Sequence, residues 1–205
     1  MFLLSDSSVL LIIDMQRDFV LPGAPAEISG TMEVVPSVQK TVSFYRKLNL
    51  PIVHVVRLYL ADGSNADLCR RKIIQEGKKI VNPGTLGSEL LDELKPSSSV
   101  RLLPDLLLKG SFQQIGDKEW ILYKPRWGAF YSTRLENHLR QLKIETTVIV
   151  GCNFPNCPRA TIYEASERDF NVVMVQDAVS GLYNQGVQEL KNIGVTFISA
   201  ADFCF

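Results

Sequence analysis

The feature that most constrains the fold of this chain is the stretch 146–167, TTVIVGCNFPNCPRATIYEASE. Residues 148–150 are apolar and β-branched, which is typical of a strand that is covered on both faces. The run stops at Gly151. A helix is then expected to begin at Cys157 and Pro158, because proline lacks the N–H that would be unpaired in a first helical turn. The stretch predicts a buried strand, a turn and a helix.

Cys157 is expected at the N-terminus of that helix. Unpaired backbone N–H groups and the positive end of the helix macrodipole favour an anion there. We therefore expect a lowered thiol pKa and a stabilised oxyanion at this residue. The alternative is that Cys157 is a small buried side chain with a packing role only. Both interpretations stay open on this stretch alone.

The rest of the chain repeats the alternation of strand and helix. Further strands are predicted at residues 9–13, 52–56, 119–123, 172–175 and 195–198. Helices are predicted at residues 32–48, 85–94, 133–142 after an N-cap at Ser132, 157–170 and 186–192. This order predicts an α/β fold with right-handed crossovers: one Rossmann-like domain over residues 1–205, a three-layer α/β/α sandwich around a six-stranded parallel sheet.

Residues 58–118 are the least regular part of the chain. Residues 61–67, ADGSNAD, are expected to form a loop. The apolar run RLLPDLLLKGSFQQ that follows at 101–114 is broken by Pro104 and Gly110. We expect it to pack on the core, in preference to acting as a lid or a subunit contact.

Three residues of reactive type follow predicted strands. Ligands of parallel sheets bind outside the carboxyl ends of the strands, near the point where the strand order reverses. Asp14, Lys124 and Cys157 all fall at that edge. A thiol nucleophile needs a proton acceptor and a preorganised charge environment, which an acid and a lysine provide. The alternative for Asp14 and Lys124 is a structural ion pair.

Charge and short motifs exclude several functions. The 22 basic residues balance the 22 acidic residues and form no basic block, so we expect neither a nucleic acid nor an anionic membrane as a partner. The glycine motifs of dinucleotide sites and phosphate-binding loops are absent, and no cofactor is expected. His54 lies inside a predicted strand and His138 inside a charged helix. We therefore expect a core residue and a surface residue, and no catalytic base.

The cysteines and the N-terminus bear on the compartment. Four cysteines, at positions 69, 152, 157 and 204, fit neither a disulfide framework nor a zinc pattern. The apolar N-terminal run lacks a basic region before it and a small-residue cleavage site after it, so we interpret it as the first strand. No apolar run approaches the roughly 20 residues that span a bilayer. A cytoplasmic protein is expected.

Three separated motifs resemble those of the isochorismatase-like cysteine hydrolases, and the resemblance covers nearly the whole chain. The motifs are D-M-Q-x-D-F at 14–19, K-P-R-W-G-A-F at 124–130 and G-x-N-x-x-x-C at 151–157. The resemblance implies an Asp-Lys-Cys triad, which maps to Asp14, Lys124 and Cys157. It also implies a non-proline cis peptide between Cys152 and Asn153, and an oxyanion hole made by the N–H groups of Asn153 and Cys157.

The residues around the cysteine depart from the commoner family pattern, which leaves the substrate open. Asn153, Phe154, Pro155 and Pro158 replace the usual small residues, threonine and β-branched residue. The expected pocket residues are those closest to the motif positions, with a plain core role as the alternative for the aromatic ones: Gln16, Phe19, Trp127 and Phe154. Arg57, at the end of the second strand, is expected to hold a substrate carboxylate or carbonyl, or else to form a salt bridge.

Within the family, the K-P-R-aromatic-small-small-F run looks most like N-carbamoylsarcosine amidases and ureidoacrylate amidohydrolases. The resemblance therefore implies a metal-free amidase that acts on a small amide or ureido compound, in a homo-oligomer. Nicotinamidases use an aspartate and histidines as metal ligands after the second strand, where RLYLA at 57–61 offers none. Isochorismatases that cleave a vinyl ether lack the cysteine. Outside hydrolysis, a redox thiol protein using Cys152 and Cys157, or a binding protein with a vestigial triad, stays open.

Overall fold

The computed structural model describes residues 6–203. Residues 1–5 and 204–205 lie outside that range, and with them lie Cys204 and the start of the apolar N-terminal run. The strands of the described chain are β1 (Ser8–Ile13), β2 (Ile52–Val56), β3 (Gln113–Gly116), β4 (Glu119–Tyr123), β5 (Thr146–Gly151), β6 (Asn171–Val179) and β7 (Thr196–Ile198). They form one seven-stranded sheet in the order β3-β4-β2-β1-β5-β6-β7.

The prediction of an α/β fold around a parallel sheet is confirmed, but the count of six strands is wrong. Six strands pair in parallel, and β3 adds an antiparallel edge strand beside β4. Only Asp117 and Lys118 separate β3 from β4, and so short a connection can join antiparallel neighbours only. The first two of the four β3 residues, Gln113 and Gln114, were expected to belong to the apolar insertion.

The switch in strand order lies beside β1, at the centre of the sheet. The chain adds β2 and β4 on one side of β1, then β5, β6 and β7 on the other. Every residue of β1 is buried, and its end is level with the end of β5, because Ile13 pairs with Gly151. The carboxyl ends of these two strands therefore meet at the position where an α/β sheet binds its ligands.

Helices cover both faces of the sheet. They are α1 (Arg17–Val20), α2 (Thr31–Lys47), α3 (Leu68–Gln75), α4 (Pro104–Leu107), α5 (Leu135–Gln141), α6 (Cys157–Ser166) and α7 (Asn184–Asn192). Because successive side chains of a strand point to opposite faces, β1 contributes to two cores. Leu10 and Ile12 pack in the core that contains α2, and Leu11 packs with Ile162 and Ala165 of α6. The sheet thus lies between two layers of helices.

Several predicted helix boundaries are wrong. Residues 85–94 form two 3₁₀ turns, Leu86–Ser88 and Asp92–Leu94, because the chain between them is extended and Leu90 makes a β-bridge to Gln16. Ser132 has a φ of 52° and is not an N-cap.

The neighbouring elements differ as well. Helix α5 begins at Leu135, whose N–H is accepted by the Thr133 hydroxyl at 3.2 Å. Helix α6 ends at Ser166, four residues earlier than expected. Helix α3 was not predicted, and of its residues only Ile74 is buried. Among the described residues, no helix is long and apolar enough to cross a membrane.

The apolar insertion packs on the sheet, as predicted. Its buried residues form a third apolar cluster with the ends of β2 and β4; the buried members are Val56, Leu58, Leu90, Leu102, Leu107, Ile121 and Tyr123. Residues 58–118 are thereby fixed beside the carboxyl ends of the strands.

Candidate active site

Asp14 and Lys124 form a buried ion pair at the carboxyl edge of the sheet. Lys124 Nζ lies 2.9 Å from Asp14 Oδ2, and Lys124 has no exposed side-chain surface. Asp14 Oδ1 is also buried and has no hydrogen-bond partner among the described residues. Buried carboxylate oxygens are normally paired, so this oxygen is available to a group that enters the site.

The two side chains are positioned by the strands that precede them. The N–H of Asp14 bonds to Val55 O at 2.9 Å, and the N–H of Lys124 bonds to Val56 O at 3.0 Å, which continues the strand pairing by one residue each. Asp14 has a φ of 53°, a left-handed conformation that aspartate tolerates better than most residues. This conformation ends β1 and turns the chain toward α1.

Asp14 and Cys157 line the same cleft. The cleft holds about 450 Å³ of space between its walls, including the part open to solvent, which suits a small molecule. Cys157 is the first residue of α6, with Pro158 behind it, as the sequence predicted. The Thr161 hydroxyl donates to Cys157 O at 2.8 Å and accepts from the N–H of Ala129 at 3.1 Å. The turn that carries Cys157 is thus tied to the loop that follows Lys124.

The expected direction of the Cys157 pKa is wrong. Burial and the negative charge of Asp14 raise the thiol pKa to about 12, and the opposing charges of Lys124 and Arg57 only partly offset them. Desolvation outweighs the helix N-terminus here, because the thiolate would be buried next to a carboxylate. The thiol therefore keeps its proton at neutral pH.

Two backbone N–H groups near Cys157 are free for a ligand. Within the described residues, neither the N–H of Asn153 nor that of Cys157 is donated to another group, whereas the N–H of Phe154 between them bonds to Ser180 O at 2.8 Å. The peptide bond between Cys152 and Asn153 is cis, at the position that the family resemblance implies. The oxyanion hole itself stays a prediction.

Gly151 is required where β5 leaves the sheet. Its φ is 116°, and a Cβ added there would overlap the backbone oxygen of Ile13. The side chain of Cys152, which comes next, donates its thiol to Asp14 O at 3.2 Å. Cys152 thus supports the backbone of Asp14.

Arg57 lies in the cleft wall, but its guanidinium already binds other groups of the protein. It forms a buried ion pair with Asp67 and donates to Lys124 O at 3.2 Å. Tyr59 donates its hydroxyl to the same Asp67 carboxylate at 2.9 Å. Burial opposes the charge of Arg57, yet the neighbouring Tyr59, Asp14 and Asp67 raise its pKa further. Of the two predicted roles, the structure favours the salt bridge.

Two of the four remaining pocket residues were assigned wrongly. Gln16 does not line the cleft, because its side-chain amide holds the chain together: Nε2 donates to Arg57 O and Ser88 O at 2.8 and 2.7 Å. Phe154 is fully buried against Tyr183, with ring centroids 5.2 Å apart, and lies in the core. Phe19 and Trp127 do line the cleft.

Five further cleft residues that carry polar or reactive groups were not predicted from the sequence. They are Tyr59, Asp67, Cys69, Arg70 and Asn156. The first four lie in the irregular segment after β2, and no sequence signal places them near the triad. Their position depends on how residues 58–118 fold over the edge of the sheet.

The histidines lie away from the cleft. His54 is buried and its Nε2 lies 2.6 Å from Glu119 Oε1, as expected of a core residue. His138 is half-buried and stacks on Phe112, so the expectation of a surface residue is only partly met. Neither histidine lines the cleft with Cys157.

The side chains after β2 do not fit a metal ion. Among residues 6–203, no group of three or more His, Cys, Asp or Glu side chains could hold one. The one carboxylate in this part of the cleft wall, Asp67, is already paired with Arg57. A guanidinium therefore lies where a cation would need carboxylate and imidazole ligands.

The chain is similar to known proteins in sequence and in structure. The family model of the isochorismatase domain matches residues 8–104 and 106–202. A protein of Arabidopsis thaliana named a probable inactive nicotinamidase is 30% identical over 197 residues, which are 92% of this chain and 90% of that protein. The ureidoacrylate amidohydrolase RutB of Methylorubrum extorquens is 24% identical over 213 residues, covering 94% of this chain and 78% of that protein.

A solved crystal structure of an isochorismatase family protein has the same fold. The isochorismatase family protein from Desulfovibrio vulgaris superposes with a TM-score of 0.81 at 33% sequence identity, and the match covers 95% of each chain. The family model spans nearly all described residues, and its matched ranges contain Asp14, Lys124 and Cys157. The chain belongs to the isochorismatase family of hydrolases.

Proposed function

We propose that this protein is a cysteine-dependent amidohydrolase that cleaves the C–N bond of a small amide or ureido compound. The observation that carries the proposal is the buried Asp14–Lys124 pair at 2.9 Å, with the free Oδ1 of Asp14 in the same cleft as Cys157. The similarity to a ureidoacrylate amidohydrolase supports the choice of bond. The small cleft supports a small substrate.

In the proposed reaction, Asp14 accepts the thiol proton as Cys157 Sγ attacks the carbonyl carbon. Because the resting thiol is protonated, deprotonation and attack go together, with Asp14 as general base. The carbonyl oxygen becomes an oxyanion that accepts hydrogen bonds from the N–H groups of Asn153 and Cys157. Lys124 stabilises the negative charge that develops on Cys157 Sγ as its proton passes to Asp14.

The C–N bond then breaks, and ammonia or an amine leaves with the proton from Asp14. A thioester, or a thiocarbamate in the case of a ureido substrate, remains on Cys157. Water attacks its carbonyl carbon while Asp14 takes a proton from that water. The S–C bond breaks, the acid product leaves, and the thiol regains the proton from Asp14.

The function is tested by ammonia release from a panel of N-carbamoyl amino acids, 3-ureido acids, aliphatic amides and nicotinamide. We expect turnover of at least one ureido or amide compound. We also expect that activity survives a chelator, because the residues after β2 do not fit a metal. Loss of activity on chelation with recovery on adding zinc, iron or manganese would instead favour a nicotinamidase-type enzyme.

The nucleophile is tested by Cys157→Ser. We expect turnover to fall by several orders of magnitude with an unchanged fold, because a serine hydroxyl is far harder to deprotonate than a thiol at this site. Cys152→Ala is the matched control and is expected to keep much more of the activity. An active Cys157→Ser variant would contradict the covalent mechanism. A chain with no amide turnover and an unreactive Cys157 would be a binding protein.

A further inference from the structure

The basic side chains at the cleft outnumber the acidic ones by one. Asp14 is paired with Lys124, and Asp67 is paired with Arg57, so that each acid has one basic partner. The remaining charged residue of the cleft wall is Arg70. Within the described residues it forms no ion pair. With the thiol protonated, the cleft therefore carries one excess positive charge, located on Arg70.

Arg70 is held in place by its surroundings. It lies in the first turn of α3, and its guanidinium carbon is 5.7 Å from the centroid of the Phe19 ring, a cation–π contact with a cleft residue. Asp67, the residue before α3, is fixed by its buried pair with Arg57. The start of α3 is thus anchored to the sheet edge, and the half-buried residue Arg70 lines the cleft.

We propose that Arg70 binds an anionic group of the substrate, a carboxylate, and thereby selects amides or ureido compounds that are also acids. The inference rests on the hydrolase function proposed above and names its substrate class. A planar guanidinium donates two parallel hydrogen bonds to a carboxylate, and the contact with Phe19 reduces the side-chain freedom that Arg70 would lose on binding. A neutral amide would leave this charge in the cleft unpaired.

Arg57 cannot take this role, although it also lines the cleft. It is 2% exposed, and it already binds the Asp67 carboxylate and Lys124 O. A substrate carboxylate at Arg57 would have to compete with a buried aspartate. In our assignment Arg57 is a positioning residue that fixes the helix carrying Arg70.

The binding step is tested without turnover by alkylating Cys157 with two reagents of nearly equal size, anionic iodoacetate and neutral iodoacetamide. Labelling of the Cys157 peptide is followed by mass spectrometry. The readout is the ratio of the two rates, because any change in the thiol pKa affects both reagents alike. We expect Arg70→Gln to lower the iodoacetate-to-iodoacetamide ratio on the order of tenfold, and Arg70→Lys to keep most of it.

The matched control is Lys72→Gln, which removes one positive charge from the same helix. Lys72 is solvent-exposed and does not line the cleft. We expect its ratio to equal that of the wild type. An unchanged ratio in Arg70→Gln, or an equal fall in Lys72→Gln, would overturn the assignment of Arg70.

A second arm uses turnover of matched substrates, an N-carbamoyl amino acid and its neutral methylamide. We expect Arg70→Gln to raise KM for the acid by roughly ten- to a hundredfold with a much smaller effect on kcat, and to leave the methylamide unchanged. Equal losses for both substrates would contradict the assignment. If neither compound is hydrolysed by the wild type, the proposed function fails for this class, and the alkylation ratio still decides the role of Arg70.

Discussion

The charges on Asp14 and Lys124 act on the Cys157 thiol in opposite directions. Asp14 raises the thiol pKa because it repels the thiolate, and Lys124 lowers it because it attracts the thiolate. A structural ion pair far from the thiol would do neither. The two residues therefore provide a test at the scale of single side chains.

We predict that Lys124→Ala raises the thiol pKa further and slows alkylation of Cys157, whereas Asp14→Asn lowers the thiol pKa and speeds alkylation. Both variants are expected to lose turnover. Asp14→Asn cannot pass a proton to the leaving amine, and Lys124→Ala no longer stabilises the thiolate. The measurement is the rate of iodoacetamide labelling at Cys157 between pH 7 and 11. Superimposable pH profiles for the wild type and both variants would show that the three groups do not share a site.

At the scale of elements, the end of β5 depends on how closely it approaches β1. Gly151 has a φ of 116°, and an added Cβ would overlap backbone atoms of Ile13, which cannot move without breaking the central strand pair. Gly110 also has a positive φ, 77°, but a Cβ there would meet nothing within 4 Å. Both glycines have a positive φ, but only Gly151 lies so close to other backbone atoms that an added Cβ would overlap them.

We predict that Gly110→Ala lowers the unfolding free energy by about 1 kcal/mol, because alanine is strained in the left-handed backbone conformation. Gly151→Ala is expected to cost more than about 4 kcal/mol, because strain and backbone overlap act together. Urea denaturation of the two variants gives both values. Similar losses at the two positions would argue against a close contact between β5 and β1.

At the scale of the whole molecule, one buried carboxylate joins three elements. Glu119 of β4 bonds to His54 of β2 and to Arg46 of α2 at 2.6 to 2.9 Å. Burial alone would raise the pKa of Glu119, but the hydrogen bonds and charges of His54 and Arg46 lower it to about 2. The folded state thus holds this carboxylate ionised far below its ordinary range.

Because the folded pKa is lowered, the stabilisation is present above the unfolded pKa near 4.5 and is lost as the pH falls toward 2. We predict that Glu119→Gln destabilises the protein at pH 7 by on the order of 3 kcal/mol, and that the difference from the wild type shrinks between pH 4.5 and 2. Urea denaturation across this range, with Glu33→Gln as an exposed control, measures it. A constant difference from pH 7 to 3 would contradict the linkage.

That the whole molecule assembles into a homo-oligomer remains a proposal. Large apolar side chains are exposed in several places, among them Leu68 at 81% and Leu86 at 66%. Sedimentation of the purified protein measures the state directly.

The sequence by itself determined the six parallel strands and the position of the reactive groups along the chain, but not the antiparallel edge strand β3. Apolar runs mark β1, β2, β4 and β5, and residues that follow such runs lie at one sheet edge, because parallel strands share a direction. Asp14, Lys124 and Cys157 were therefore brought to one edge correctly. The three motifs also indicated the family that the comparison confirms.

Only the tertiary structure decided what surrounds these groups. Whether Gln16 and Phe154 face the cleft or the core, and whether Arg57 is free or paired, depends on contacts between residues far apart in the chain. The direction of the Cys157 pKa depends on burial, which no local pattern reports. Arg70 reaches the cleft only because the irregular segment after β2 folds back over the sheet edge, where long-range packing outweighs its weak local preferences.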